Sequence, residues 1–541
     1  MKLYLSAIII LGLLFSCNSK EEVDFIVYNA NIYTVDDAFS QASAIVVKDG
    51  KFLSVSSDTG ITSKYSAKEV LDAKGKTIVP GLIDAHCHFY GLGLNQQVVN
   101  LTGTASYDEI LQKVADFQKE KPSNFILGRG WDQNDWEVKE FPTKNKLDEL
   151  FPDIPVALER VDGHAYLVNQ KALDLAGITK DTRIEGGEIV KDGNGNLTGV
   201  LVDNPIGMID AVVPKPTVKT QIQALKDAEK LCFDYGLTTV NDAGLNKATI
   251  ELIDSLQKVG ELDIRVYAMI SNNQKNLDYY LPKGIVKTDK LNVRSVKVYG
   301  DGALGSRGAA LRAPYSDKSG HFGAMVTPVS EIEALAERIA ASEYQMNTHA
   351  IGDSANIVVL RAYENVLKDK GDRRWKVEHA QVVSQQDFDY FKNGIIPSVQ
   401  PTHATSDMYW AKDRLGEERV KGAYAFKTLL DKAGIVALGT DFPVEKVNPF
   451  LTFYAAVVRQ DLENYPEGGF QMKDALSREE TLKGMTIWAA YSNFEEEEKG
   501  SIEIGKKADF VILSDDIMQV PVTDIPNLEA EQVFVSGEKV K

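Results

Sequence analysis

Eight short apolar runs, each closing on polar residues, punctuate the chain: "TIVPGLIDAHCH", "LTTVNDAG", "DIRVYAMIS", "VRSVKVYGDG", "YQMNTHAIGD", "WKVEHAQ", "IIPSVQPTH" and "IVALGTDFP". Helical stretches lie between most of them, so the sequence reads as βα units feeding a parallel sheet. Eight such strands close a (β/α)8 TIM barrel, in which reactive side chains gather where the strands end. The predicted class is therefore α/β.

Six of the seven connections have a length suited to a helical crossover, but the first two runs are separated by roughly 150 residues, far more than one helix requires. A large insertion after strand 1 is implied, from about 95 to 225, with strands of its own in "NFILGRGW" and "IPVALERVDGHAYLVN". A hairpin follows in "EIVKDGNGNLTGVLVD", where Asp-Gly and Asn-Gly supply the turns. Residues 24–79 alternate β-rich runs with turn residues, with one weak helix signal at 61–70, and 497–541 have the same texture. Neither segment can bury a sheet face alone, so together they predict one small composite β-sandwich beside a barrel domain at 80–496.

The chain opens on Met1-Lys2 and an apolar run from Leu3 to Phe15, the length of a signal-peptide core and too short to span a bilayer. Residues 1–16 are expected to be removed. The run ends in Leu14-Phe15-Ser16-Cys17, which resembles a bacterial lipobox, so Cys17 is the expected lipidation site, 17–23 a polar tether and the cell envelope the location. Cys87 and Cys232 are the other cysteines, which implies no disulfide framework. A net charge of −18 repels polyanions and argues against a nucleic-acid partner.

In "GLIDAHCHFYG" the alternation of a strand sends His86 and His88 to one face, at the end of the first run, where they can share a metal; Asp84 behind them could orient a ring. Cys87 faces the helices. In "VRSVKVYGDG", Val296 and Val298 occupy the outer face, which points Lys297 into the barrel, a costly place for an ammonium without a partner or altered chemistry; the alternative is a lysine snorkelling out of the strand end. His349, His379 and Asp441 close the fifth, sixth and eighth runs, and His403 follows the seventh. Metal-competent side chains at so many strand ends point to one centre.

The ordered set of His-x-His, Lys, His, His and Asp, with "PGLIDAHCH" and "GSIEIGKKADFVILSDD", resembles the amidohydrolase superfamily. Within it, "GRGWD", "RVDGHAYLVN", "VYGDGALGSRGA", "THAIGD", "VEHAQ" and "QPTHATSDMYW" are similar to the YtcJ-like branch of the amidohydrolase-3 group; Gly308, where a Thr is usual, departs from it outside the metal set. The resemblance implies two divalent ions, zinc with manganese or iron as alternatives, bridged by a carbamylated Lys297. His86, His88 and Asp441 would hold one ion, His349 and His379 the other. A single-metal site stays open, because sequence does not report carbamylation.

It further implies hydrolysis of a non-peptide amide or N-acyl bond in a small molecule through a metal-bound hydroxide, with Asp441 moving the proton. His164 in the insertion would contact substrate or stabilise the oxyanion. Asp162, His403, Arg307 and Trp131 are the expected substrate-binding residues; for Arg307 an ion pair within the protein is the alternative, and Trp131, Trp136 and Trp410 either wall a pocket or are packed. His321 carries no assignment. A homo-oligomer is compatible with the sequence. Two other classes compete: a lipid-anchored solute- or partner-binding protein on a degenerate barrel, which predicts lost ligands where none is missing, and a two-carboxylate glycosidase, which the histidine-rich strand ends disfavour.

Overall fold

The computed structural model describes residues 20–541 except 58, 59, 162, 164, 185 and 186. Eight parallel strands form the barrel: β1 (Leu82–Cys87), β2 (Leu237–Leu245), β3 (Arg265–Ser271), β4 (Leu291–Tyr299), β5 (Gln345–Ala350), β6 (Lys376–His379), β7 (Ile396–Val399) and β8 (Ala437–Leu438). They are the eight runs read from sequence, in the same order. β8 is only two residues long, and the ring closes through backbone bonds beyond it, with Asp441 N donating to His86 O at 2.8 Å and His88 N to Phe442 O at 2.8 Å. The seam needs Gly439, because a Cβ there would lie 2.5 Å from His86 N and 2.8 Å from Asp84 Oδ1. This is the (β/α)8 architecture, with further sheets attached.

Outward-facing residues of the strands, including Val240, Val266, Val296, Val298 and Val377, pack beneath the helices in one continuous core. The barrel floor is a polar plug: Lys376 Nζ donates to Asn493 Oδ1 at 2.7 Å, and Asn241 and Asn493 exchange side-chain hydrogen bonds at 3.0 and 2.8 Å. Buried polar groups are tolerated there because each finds a partner.

The segment after β1 carries a six-stranded sheet running from Val99–Asn100 to Gly187–Lys191 along its path, with a separate apolar cluster on each face. It ends earlier than the expected 225. Val218–Asp234 is a barrel helix, since its Leu225, Ala228 and Cys232 recur at helical spacing and join the barrel core.

The two chain ends form two sheets, one of four strands from the N-terminal segment and one of six in which Asn31–Tyr33 and Thr77–Pro80 join Phe510–Leu513 and Ala530–Val535 through the pairing of Thr77–Pro80 with Phe510–Leu513. Phe25, Ile45 and Phe52 from the first meet Ile78, Phe510 and Phe534 from the second, and the Phe510 and Phe534 rings stack at 4.4 Å. The helix signal at 61–70 yields only Ile61–Lys64. Tyr65–Asp72 is a strand instead, pairing parallel with Glu21–Tyr28, so that strand also takes in Glu21 and Glu22 from the expected tether. Arg265 at the start of β3 ties the barrel to this scaffold through a buried bidentate pair with Asp509, at 2.6 and 3.0 Å. Cys17 and the apolar leader lie outside the described residues; among those described, no helix is long and apolar enough to cross a membrane.

Candidate metal centre

At the C-terminal mouth of the barrel, strand alternation delivers His86 and His88 from β1, Lys297 from β4 and His349 from β5 to the interior. His379 breaks that rule. Glu378 already points inward, so the next side chain should point out, but a left-handed backbone at His379 (φ 73°) swings its ring back over the mouth, 4.5 Å from the His349 ring and 4.9 Å from that of His86. Asp441 likewise sits at φ 62°. A non-glycine residue in that region costs about 1–3 kcal/mol, which the surrounding structure must absorb, and such strain gathers at functional sites.

Four imidazoles share one pattern. Each Nδ1 faces an oxygen that can only accept: His86 the Glu378 carboxylate at 2.6 Å, His88 the Ala243 carbonyl at 3.0 Å, His379 Gln400 Oε1 at 2.8 Å and His403 the Glu445 carboxylate at 3.1 Å. The proton of each ring in its neutral form is therefore held on Nδ1, which leaves the lone pair on Nε2; that of His86 faces Lys297 Nζ at 3.0 Å, and against the effect of burial the carboxylates of Asp441 and Glu445 push His403 well above its usual range, towards the imidazolium. The Nε2 atoms of His86, His88 and His403 face one carboxylate, Asp441, at 3.6, 3.3 and 3.3 Å. Where the ring is neutral, lone pairs on both sides of such a gap repel unless a positive species lies between them. The separations also exceed the ~2.7–2.9 Å of charge-assisted hydrogen bonds and match the donor spacing of about 3.3–3.5 Å around a tetrahedral ion with ~2.0–2.1 Å bonds.

Asp441 Oδ1 is buried and has no hydrogen-bond partner, and neither has His349 Nε2, which stands 3.7 Å from Asp301 Oδ1. Two triads have ligand atoms all within 4.8 Å of one another, His86 with His88 and Asp441, and His379 with His403 and Asp441. The residues present fit a divalent cation.

The electrostatics agree. Burial pushes the His86 and His379 imidazoles below their usual range and that of His349 down to about 3, with the Lys297 cation adding to each shift. Burial opposes ionisation of Asp441, yet the His403 and His88 rings that face it hold its carboxyl well below the ordinary value. Burial also lowers Lys297, whose Nζ is 3.0 Å from His86 Nε2 and lies over the Tyr299 ring. Burial carries Asp301 up to about 7, although the amides of Ala310, Ile351 and Gly352 all donate to it.

The model of the amidohydrolase family matches residues 69–541. The chain belongs to the amidohydrolase family. It is 31% identical to putative amidohydrolase YtcJ of Bacillus subtilis, over 94% of this chain and 98% of that one. It is 26% identical to the N-substituted formamide deformylase of Arthrobacter pascens, over 95% and 97% of the two chains. A crystal structure of an uncharacterized metal-dependent hydrolase from Pyrococcus horikoshii superposes with a TM-score of 0.78 at 29% identity, covering 92% of this chain and 99% of that one. This amidohydrolase is accordingly a hydrolase whose His and Asp side chains suit a divalent metal.

The structure thus brings together His86, His88, Lys297, His349, His379, His403 and Asp441. His164 and Asp162 lie outside the described residues. Trp131 is corrected: it is wholly buried between the insertion's own elements, its indole N–H donating to Leu158 O at 2.7 Å, so it has no face to offer a substrate. Trp136 is packed in the same cluster. Arg307 forms an ion pair with Asp317 at 2.7 Å, the alternative that its loop position left open, and His321 Nε2 donates to its carbonyl at 2.8 Å.

Asp84 does not orient a ring. It accepts from Thr440 N and Oγ1 and from His86 N, so it clasps the barrel seam. Cys87 lies in the barrel core. The sequence reading missed Glu378, Gln400, Glu445 and Asp301. For Glu378 a signal existed, because Lys376 and Glu378 flank outward-facing Val377 just as Ser295 and Lys297 flank Val296.

Proposed function

We propose that this amidohydrolase cleaves a non-peptide carbon–nitrogen bond, of the amide or N-acyl type, in a small molecule. The observation that carries the reading is the convergence of the His86, His88 and His403 Nε2 atoms on Asp441. The full-length similarity to an N-substituted formamide deformylase supports the bond type.

His86, His88 and Asp441 would hold one divalent ion, with zinc the ion that nitrogen and carboxylate donors suit best. His349 and His379 border the position of a second. When bound there, such ions lower the pKa of water and polarise the scissile carbonyl.

The chain's own residues do the rest. Burial disfavours the ammonium form of Lys297, and a neutral Nζ can add carbon dioxide, releasing one proton and leaving a carbamate that would offer oxygen donors to the ions. Glu378, Ala243 O and Gln400 keep each imidazole in one tautomer and orientation. Asp441 accepts a proton from the attacking water as its oxygen bonds to the carbonyl carbon, then delivers it to the departing nitrogen, so that one water yields an acid and an amine. By the resemblance of the motif around it, His164 would contact the substrate or stabilise the oxyanion.

Metal analysis of the purified protein, with a screen of N-substituted formamides, N-acyl amino acids and cyclic amides, tests this. Turnover of one such class, lost with the metal and restored by zinc, is expected; turnover that survives exhaustive metal removal overturns it. We also propose that the mature chain is anchored to the cell envelope through Cys17. Incorporation of labelled palmitate that disappears in Cys17→Ala is the expected result.

A further inference from the structure

β5 ends at Ala350, one residue past His349, and β4 ends at Tyr299, its register partner. The amides of the turn that follows the histidine therefore fall beyond the β4–β5 ladder. One side chain takes its place. Asp301, only 2% exposed, accepts from Ile351 N through Oδ1 at 2.9 Å and from Gly352 N and Ala310 N through Oδ2, both at 2.8 Å. The carbonyl of His349 itself accepts from Gly300 N at 2.8 Å. Two consecutive residues, Gly300 and Asp301, thus grip the chain at the histidine and just after it.

The packing leaves this arrangement little slack. A Cβ on Gly300 would lie 2.7 Å from His349 O, and one on Gly352 would lie 2.0 Å from Ala310 O, which itself accepts from Ser354 N at 3.0 Å. Asp301 Oδ1 also faces His349 Nε2, but from 3.7 Å, beyond hydrogen-bond reach, so its hold on the ring runs through the backbone. A carboxyl group that takes in three buried amide N–H groups fixes the chain around it, because each donor left unmatched is costly to bury.

We propose that Asp301 is the positioning residue of His349: its carboxyl group clasps the exits of β4 and β5 together and so holds the imidazole at the metal centre. The inference rests on the reading of His349 as a metal ligand. The rival role is a purely structural one, in which the clasp stabilises the fold and the ring keeps its place without it.

The full chain, stripped with a chelator, is titrated with Co2+ and followed by visible absorption and by metal stoichiometry, while thermal unfolding of the metal-free protein reports on the fold. His349→Ala identifies the equivalent of cobalt that depends on the histidine. Asp301→Asn keeps the shape of the side chain but leaves one oxygen for three donors. It is expected to weaken that same equivalent by roughly 10–100-fold, as loss of a ligand's outer partner does, and to leave any other equivalent within about twofold. A purely structural clasp would lower the unfolding temperature and leave every cobalt affinity where it was.

Unchanged affinity of the His349-dependent equivalent in Asp301→Asn overturns the proposal. If His349→Ala alters no equivalent, the histidine is no ligand and the proposal falls, while His86, His88 and Asp441 keep their ion. No bound cobalt at all in the unaltered protein overturns the reading of the centre itself, so the failures are told apart. Should Asp301→Asn fail to fold, Asp301→Ser, which leaves room for water to meet the freed amides, decides by the same measure.

Discussion

Replacing Glu378 by Gln isolates the orientation of one imidazole from its presence. The Glu378 carboxylate accepts from His86 Nδ1 at 2.6 Å with both side chains fully buried, and the His86 ring holds the carboxyl below its ordinary range although burial opposes this. Gln keeps the shape but removes the charge, and its amide can turn either an acceptor or a donor towards the ring. A buried hydrogen bond to a charged group contributes about 1.5–3 kcal/mol. Loss of an outer carboxylate costs metal sites roughly 10–100-fold in affinity, or ~1.4–2.7 kcal/mol, so the two estimates agree. Glu378→Gln should therefore weaken zinc binding by one to two orders of magnitude, roughly, and lower kcat/KM in parallel at fixed free zinc. Competition with a chromophoric chelator reads the first quantity, and thermal unfolding of the metal-free protein reports whether the fold is intact. Zinc affinity within about twofold of the unaltered protein, with His86 still present, would refute the argument that the carboxylate sets the ring's direction.

Other parts of the structure give equally direct tests. Gly439→Ala drives a methyl against His86 N and Asp84 Oδ1, so it should destabilise the barrel by about 1–3 kcal/mol in denaturant unfolding and cost cation affinity too; a neutral effect on both means the seam is not tight. Asp509→Ala leaves the buried Arg265 guanidinium without its bidentate partner, an expected loss of about 3–5 kcal/mol in the same assay. Because the Asp509 carboxyl titrates below its ordinary value, against the effect of burial and through the pull of Arg265, its contribution is complete above the unfolded carboxylate pKa of about 4 and fades as pH falls towards the folded value. Asp509→Asn should accordingly flatten the acid limb of a stability–pH curve, and an unchanged limb contradicts this. Trp131→Phe removes the indole bond to Leu158 O inside the insertion and should cost roughly 1–3 kcal/mol of stability while KM stays within about twofold; a large KM change would restore Trp131 to the substrate site.

The barrel was legible because its strands are apolar on the side that meets the helices and end in residues that such a side would reject. Lys297 shows the principle: two flanking valines fix the outward face, so the lysine has nowhere to go but the interior. The same logic applied to "WKVEH" exposes Lys376 and Glu378, but then sends His379 outward. Only the left-handed turn at His379 recovers it, and no spacing rule announces a backbone in that region. Glu445 and Gln400 were out of reach for another reason, since each meets its histidine across a loop or helix whose path depends on the finished barrel. Trp131 was expected at the substrate, with packing as the alternative, and it is packed because the insertion needs a core of its own and an indole fills it.

The sheet shared by the two chain ends has a consequence for synthesis. Thr77–Pro80 runs directly into the strand bearing His86 and His88, and its antiparallel neighbour is Phe510–Leu513. A ribosome completes the first of these some four hundred residues before the second, and pairing partners so remote in sequence assemble late. The cradle for the ions thus reaches its final rigidity only when the tail of the polypeptide arrives. Clipping that tail should loosen histidines that it never touches.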